Sequence, residues 1–186
     1  MALFRKIVIA SLLFTSTSTR VFGQNSETAN NKLNLYLEGA ALLAVATGDI
    51  ELQIKGVTEA GAALTNTSEN SDTRLRITSL AEIGIVRLVS VKMSRALSGT
   101  ELTVQALPPS TTHFTGDGGS YAGVVTLSTQ DQVLINNIGT CWSGTDQNDG
   151  YTIKYTYKIK TIAQGEIVNI DQQTLETVTF TISDAN

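Results

Sequence analysis

From Tyr151 to Ile159 the chain alternates without a break, with Tyr151, Ile153, Tyr155, Tyr157 and Ile159 on one side and Thr152, Lys154, Thr156 and Lys158 on the other. Successive side chains of a strand point to opposite faces, so this spacing builds a sheet element with one apolar and one wet face. The same period recurs in Leu33, Leu35 and Leu37, in Ile50, Leu52 and Ile54, and in Leu75 and Ile77. It returns in Val89, Val91 and Met93, in Leu102, Val104 and Ala106, and in Val178, Phe180 and Ile182. Ala40 to Ala46 is apolar throughout, which fits a strand buried on both faces or a short helical turn; we read a strand. Val124 to Leu127 and Gln132 to Ile135 are short apolar strands.

Between these runs stand turn signals: Gly48-Asp49, Ser98-Gly99, Asp149-Gly150 and Gln164-Gly165. Pro108-Pro109 ends a strand because imino acids offer no ladder donor. Gly56 to Asp72, rich in Gly, Thr, Asn and Ser, reads as a loop or weak edge, and Ser110 to Gly123 as an exposed loop. About eight to ten short strands with almost no helical periodicity predict an all-β fold, an antiparallel immunoglobulin-like or jelly-roll-like β-sandwich. A closed barrel is the alternative that period two leaves open.

The first residues are read as an address. Arg5 and Lys6 precede the apolar run Ile7 to Phe14, and Val21 and Gly23 are small residues placed for cleavage before Gln24. Residues 1–23 therefore read as a secretory signal peptide, too short in its apolar run for the ~20 residues of a spanning helix. Residues 24–32 read as a flexible polar leader, and 33–186 as a single β-sandwich domain with no further membrane span. Three of the 13 basic residues and none of the 17 acids fall in the signal peptide, leaving a mature net charge of −7. That sign disfavours nucleic acid and anionic lipid as partners. The expected location is secreted, extracellular or at the cell surface.

Candidate chemistry is sparse. One Cys and one His exclude a disulfide framework and sites that need two imidazoles. Cys141 and His113 are the thiol and imidazole a cysteine hydrolase would need, but Cys141 stands beside Trp142 with Asp146 and Asp149 nearby, and acids do not lower a thiol pKa. We read it as a packed small hydrophobe. Asp146-Gln147-Asn148-Asp149-Gly150 is dense in oxygen, so Asp146, Asn148 and Asp149 are candidate calcium ligands; the spacing departs from an EF-hand loop, and a plain Asx-rich hairpin turn is the competing reading. Trp142, Tyr121, Tyr36 and His113 are candidates for a sugar-stacking platform on loops. Glu82, beside Leu80, Ala81 and Ile83, is the one acid in an apolar run and reads as a strand-end charge. No cofactor other than calcium is expected.

The elements Leu42-Leu43-Ala44-Val45, Glu59-Ala60-Gly61, Ile138-Gly-Thr-Cys-Trp-Ser-Gly-Thr145, Asn148-Asp-Gly150 and Val178-Thr-Phe-Thr-Ile-Ser-Asp184 resemble a group of uncharacterised small secreted β-sandwich proteins of Bacteroidota. More loosely, the organisation is similar to pilin-like and spore-coat-like sandwich subunits, which assemble by strand exchange, although the paired cysteines common there are missing. The resemblance implies export from a Gram-negative cell and no catalytic motif. Two functions are expected. One is a non-enzymatic extracellular structural or adhesive subunit whose Leu33, Leu35 and Leu37 fill an open edge of a neighbour, its partners being copies of itself or other cell-surface proteins. The other is a carbohydrate- or surface-ligand-binding module, assisted by calcium, with glycans as partners.

Overall fold

The computed structural model describes residues 32–46, 48–63, 67–110, 112–160 and 175–185. The signal peptide read at 1–23, nearly all of the 24–32 leader and the Gln164-Gly165 turn lie outside the described residues. The chain divides into two units, 1–36 and 37–186, and all strands described below belong to the second.

The fold is all-β, and no helix occurs among the described residues. Eleven strands follow in order: β1 Ala40–Val45, β2 Thr67–Leu80, β3 Arg87–Met93, β4 Thr100–Leu107, β5 Thr115–Gly116, β6 Ser120–Tyr121, β7 Val124–Thr126, β8 Gln132–Ile138, β9 Cys141–Trp142, β10 Tyr151–Ile159 and β11 Val178–Asp184. Their pairings are antiparallel and sort them into two sheets, which makes a sandwich and not a closed barrel. The larger sheet runs β5-β9-β2-β10-β4-β7 with β1 also on β2; the smaller runs β11-β3-β8-β6.

The core lies between the sheets. Leu75, Ile77, Val104, Ala106, Tyr151 and Ile153 come from one, and Val89, Val91, Met93, Leu134, Ile135 and Ile138 from the other. Each such aliphatic side chain contributes about 1.5–3 kcal/mol when withdrawn from water. Strand β3 alternates buried and half-buried positions along its whole length, as Val89, Val91 and Met93 require. Strand β10 buries Tyr151, Ile153 and Tyr155 and leaves the Thr and Lys positions half-exposed.

Several expectations are corrected. The polar stretch Thr67 to Asp72, read as part of a loop, is the first half of β2, because β10 pairs Tyr155 to Lys158 with Asn70 to Thr67 and resumes at Thr73 after a bulge. A ladder overrides weak local propensity. Ile50, Leu52 and Ile54 form no strand, yet their burial alternates with that of Glu51 and Gln53. Ile50 and Leu52 pack against the core without a ladder; the backbone amide of Gln53 donates to the Ser68 hydroxyl at 3.1 Å. Leu33, Leu35 and Leu37 likewise belong to no strand and are exposed. β1 is a strand as read, but not a buried one: it pairs only with β2, and Leu42 is 64% exposed. The loop read at Ser110 to Gly123 contains the short β5 and β6.

One inward position on β3 is a cation. Arg87 is nearly buried and donates to the Ser79 hydroxyl at 3.0 Å, to the Ala40 carbonyl, and through Nε to Asp184 at 3.0 Å. Ala40 and Ser79 belong to the larger sheet and Asp184 to the smaller, so one guanidinium ties the layers together at this end. Arg87→Ala strips donors from two buried or half-buried acceptors and is expected to cost about 2–4 kcal/mol. Asp184→Asn removes only a mostly solvated charge and should cost about 1 kcal/mol or less. Urea unfolding followed by tryptophan fluorescence measures both; equal losses would contradict this assignment.

Candidate functional site

The site grows out of an interrupted strand. Leu75 of β2 pairs with both Val45 and Tyr151, and Ser79 with both Ala41 and Cys141. A strand has two edges, so β9 and β10 share the edge opposite β1. Residues 143–150 are an excursion between two segments on that edge. Its root is closed by Ser143, whose amide donates to the Ile77 carbonyl at 3.0 Å and whose hydroxyl accepts the Ile77 amide at 2.8 Å. Gly150 re-enters with φ of 100°, where a Cβ would stand 2.5 Å from the Leu75 carbonyl oxygen. Only glycine fits there.

Within the excursion Asp149 is the organising group, its side chain only 7% exposed. Its Oδ2 accepts the Asp146 amide at 2.7 Å, and its own amide donates back to the Asp146 carbonyl at 3.0 Å. His113 Nδ1 lies 2.9 Å from Asp149 Oδ1 and 3.6 Å from Asp146 Oδ2. Gly144, at φ 87°, leaves room for this approach, since a Cβ there would fall 2.2 Å from Asp149 Oδ2. The Asp146 amide and then the imidazole hold the Asp149 carboxyl below the usual carboxylate range, while the bond to Asp149 raises the His113 pKa. His113, Asp146 and Asp149 thus place three metal-ligating atoms within 4.8 Å of one another.

The candidate residues from the sequence fall in different places. Asp146 and Asp149 come together, with His113 and without Asn148, which instead lines an open polar cleft with Gln147, Asp72 and Arg74. Trp142 is half-exposed on β9, opposite Thr78 and Thr115, and takes part in no ring contact among the described residues. Tyr121 instead meets Tyr151 edge-on at 6.1 Å, as Phe114 does at 6.2 Å. The Tyr151 hydroxyl donates to the Gly118 carbonyl at 2.9 Å, so this aromatic cluster seats the 114–121 segment on the core. Tyr36 is exposed outside any strand. Glu82 is exposed, as a strand-end charge should be.

Cys141 is wholly buried, and burial followed by the charge of Asp117 pushes its thiol pKa up. Those are the electrostatics of a packed thiol, opposite to those of an attacking thiolate. The pairing of His113 with Asp149 is the relation that sequence reading missed. Thirty-six positions separate the two, and the signals attached to each, an aromatic loop and an oxygen-rich turn, pointed to different chemistry.

No helix among the described residues is long and apolar enough to cross a membrane. Comparison with known protein families, with curated proteins and with solved structures finds no match.

The His113–Asp149 contact sets a pH window. A raised imidazole pKa contributes stability that is complete below 6.5 and lost as pH rises through the folded value; a lowered carboxyl contributes above 3.8 and is lost as pH falls through its own folded value. The His113 ring, followed by NMR, is expected to titrate above 6.5 and to fall back toward it in Asp149→Asn. Titration at or below that value in the unaltered protein would show that the contact is not made in solution.

Proposed function

We propose that this protein is a non-enzymatic extracellular structural or adhesive subunit, exported to the cell surface, that joins copies of itself by adding a strand across an exposed edge. The observation that carries the reading is the state of Leu33, Leu35 and Leu37. They are 74%, 88% and 82% exposed and stand in no ladder, although their spacing is that of a strand with one apolar face. Unpaired backbone donors and acceptors with alternating apolar side chains are what strand addition uses: the main chain supplies the bonds and alternate side chains the specificity. A few residues on, β1 offers an edge whose Leu42 and Val45 are also exposed.

A second reading rests on Trp142. Its half-exposed indole flanked by threonines supplies a face on which a sugar ring can stack. Trp142→Ala should then lose glycan binding with its thermal stability unchanged; equal binding across a glycan array would end this reading.

For the assembly reading, sedimentation of the protein freed of its signal peptide should show multimers that grow with concentration. Leu35→Asp removes one buried leucine per contact, about 1.5–3 kcal/mol, and should weaken association by roughly tenfold or more without altering the fold. Monomer at all concentrations in both proteins would overturn the proposal.

A further inference from the structure

We propose that His113, Asp146 and Asp149 bind one divalent transition-metal ion of the zinc class, in a site that bridges the turn at 112–113 and the 143–150 excursion. This inference is independent of the assembly reading, since it uses none of the leader or edge residues.

Three observations carry it. The first is the donor set. Two carboxylates and an imidazole nitrogen, their ligand atoms all within 4.8 Å of one another, can meet on a single ion. Bonds of about 2.0–2.2 Å at tetrahedral angles put neighbouring donors about 3.3 Å apart. The separations from His113 Nδ1, 2.9 Å to Asp149 Oδ1 and 3.6 Å to Asp146 Oδ2, lie on either side of that value. Small side-chain rotations suffice to seat an ion.

The second observation is charge. Asp149 is more than nine-tenths buried, and among the described residues neither it nor Asp146 forms a salt bridge with a lysine or arginine. A buried carboxylate is costly without a compensating cation. The cation that Asp149 faces is His113, and a dication that takes the place of the imidazole proton keeps that buried carboxylate compensated by a directly bonded ion.

The third is orientation. The Asp146 amide donates to Asp149 Oδ2 and orients the carboxylate, as an outer hydrogen bond does for a metal ligand, so that its two oxygens face the imidazole nitrogen at 2.9 and 3.2 Å, Oδ1 the nearer. The imidazole also decides the class of ion. Calcium takes six to eight oxygen donors, whereas nitrogen with two carboxylates and a water suits zinc or cobalt. The exposed side of Asp146, 73% accessible, is the side from which ion and water enter.

The test uses the purified full chain with zinc or cobalt chloride. His113 is the chain's one histidine, so the imidazole 15N spectrum reports this ring alone. Zinc should bind at one equivalent and shift the Nδ1 signal far more than Nε2, and cobalt should give a visible ligand-field band. His113→Ala and Asp146→Asn should each weaken zinc binding by about tenfold or more, and Asp146→Asn, which alters an exposed side chain, should melt near the unaltered protein. Millimolar calcium should leave the ring signals in place. An unchanged ring spectrum at saturating zinc, a shift at Nε2 instead, undiminished binding by His113→Ala, or displacement of zinc by calcium would each overturn the proposal.

Discussion

Strand β2 is longer than any partner it has, and the rest of the larger sheet is arranged around that mismatch. Its 14 residues must satisfy two rows of backbone groups. β1 serves Leu75 to Leu80 on one edge; β10 serves Thr67 to Asn70 and, past a bulge, Thr73 to Leu75, and β9 serves Thr78 and Ser79, on the other. The gap at Arg76 and Ile77 is closed by the backbone and hydroxyl of Ser143. Buried main-chain groups are rarely left unpaired, so the chain must leave the edge after Ser143 and return at Gly150 without opening the ladder between. What it extrudes is the loop that carries Asp146 and Asp149. The candidate metal site is therefore a product of sheet bookkeeping, held at both ends by β2.

Two side chains tie other segments to this sheet. Tyr151 is the first residue after the excursion, fully buried, edge-on to Phe114 and Tyr121 and bonded to the Gly118 carbonyl. It joins the larger sheet to the segment that holds β5 and β6. At the opposite border of β2, Arg87 does comparable work through Ser79, Ala40 and Asp184. One polar bridge and one aromatic bridge thus border the core, each donating to a backbone carbonyl.

Much of this was legible in the sequence wherever one face is buried. Alternation at Tyr151–Tyr157, Val89–Met93 and Leu102–Ala106 named the inward residues correctly, because a one-residue slip would turn the apolar set to water. Alternation at Ile50–Ile54 also named the inward side, but side-chain period carries no information about whether the backbone finds a partner. Thr67–Asp72 failed in the reverse sense: polar residues entered a strand because β10 needed an opposite. At the site, the oxygen-rich turn was visible, and the pairing of Asp149 with His113 was not. It depends on β5 lying beside β9, a two-residue ladder with no local signature.

The edges of the two sheets are treated unequally, and the inequality bears on assembly. An exposed edge invites another strand, and folded proteins blunt such edges by shortness, charge or polar side chains. β6 has two residues and β7 three, while β11 turns Thr179, Thr181 and Ser183 to solvent and ends in Asp184. β1 has no such protection. Its six residues, Ala40 to Val45, hold no charge, no proline and no hydroxyl, and its outward Leu42 and Val45 lie open. β1 thus keeps a longer apolar edge open than the two residues of β6 or the three of β7. Leu42 and Val45 are the apolar side chains that a strand added at that edge would cover.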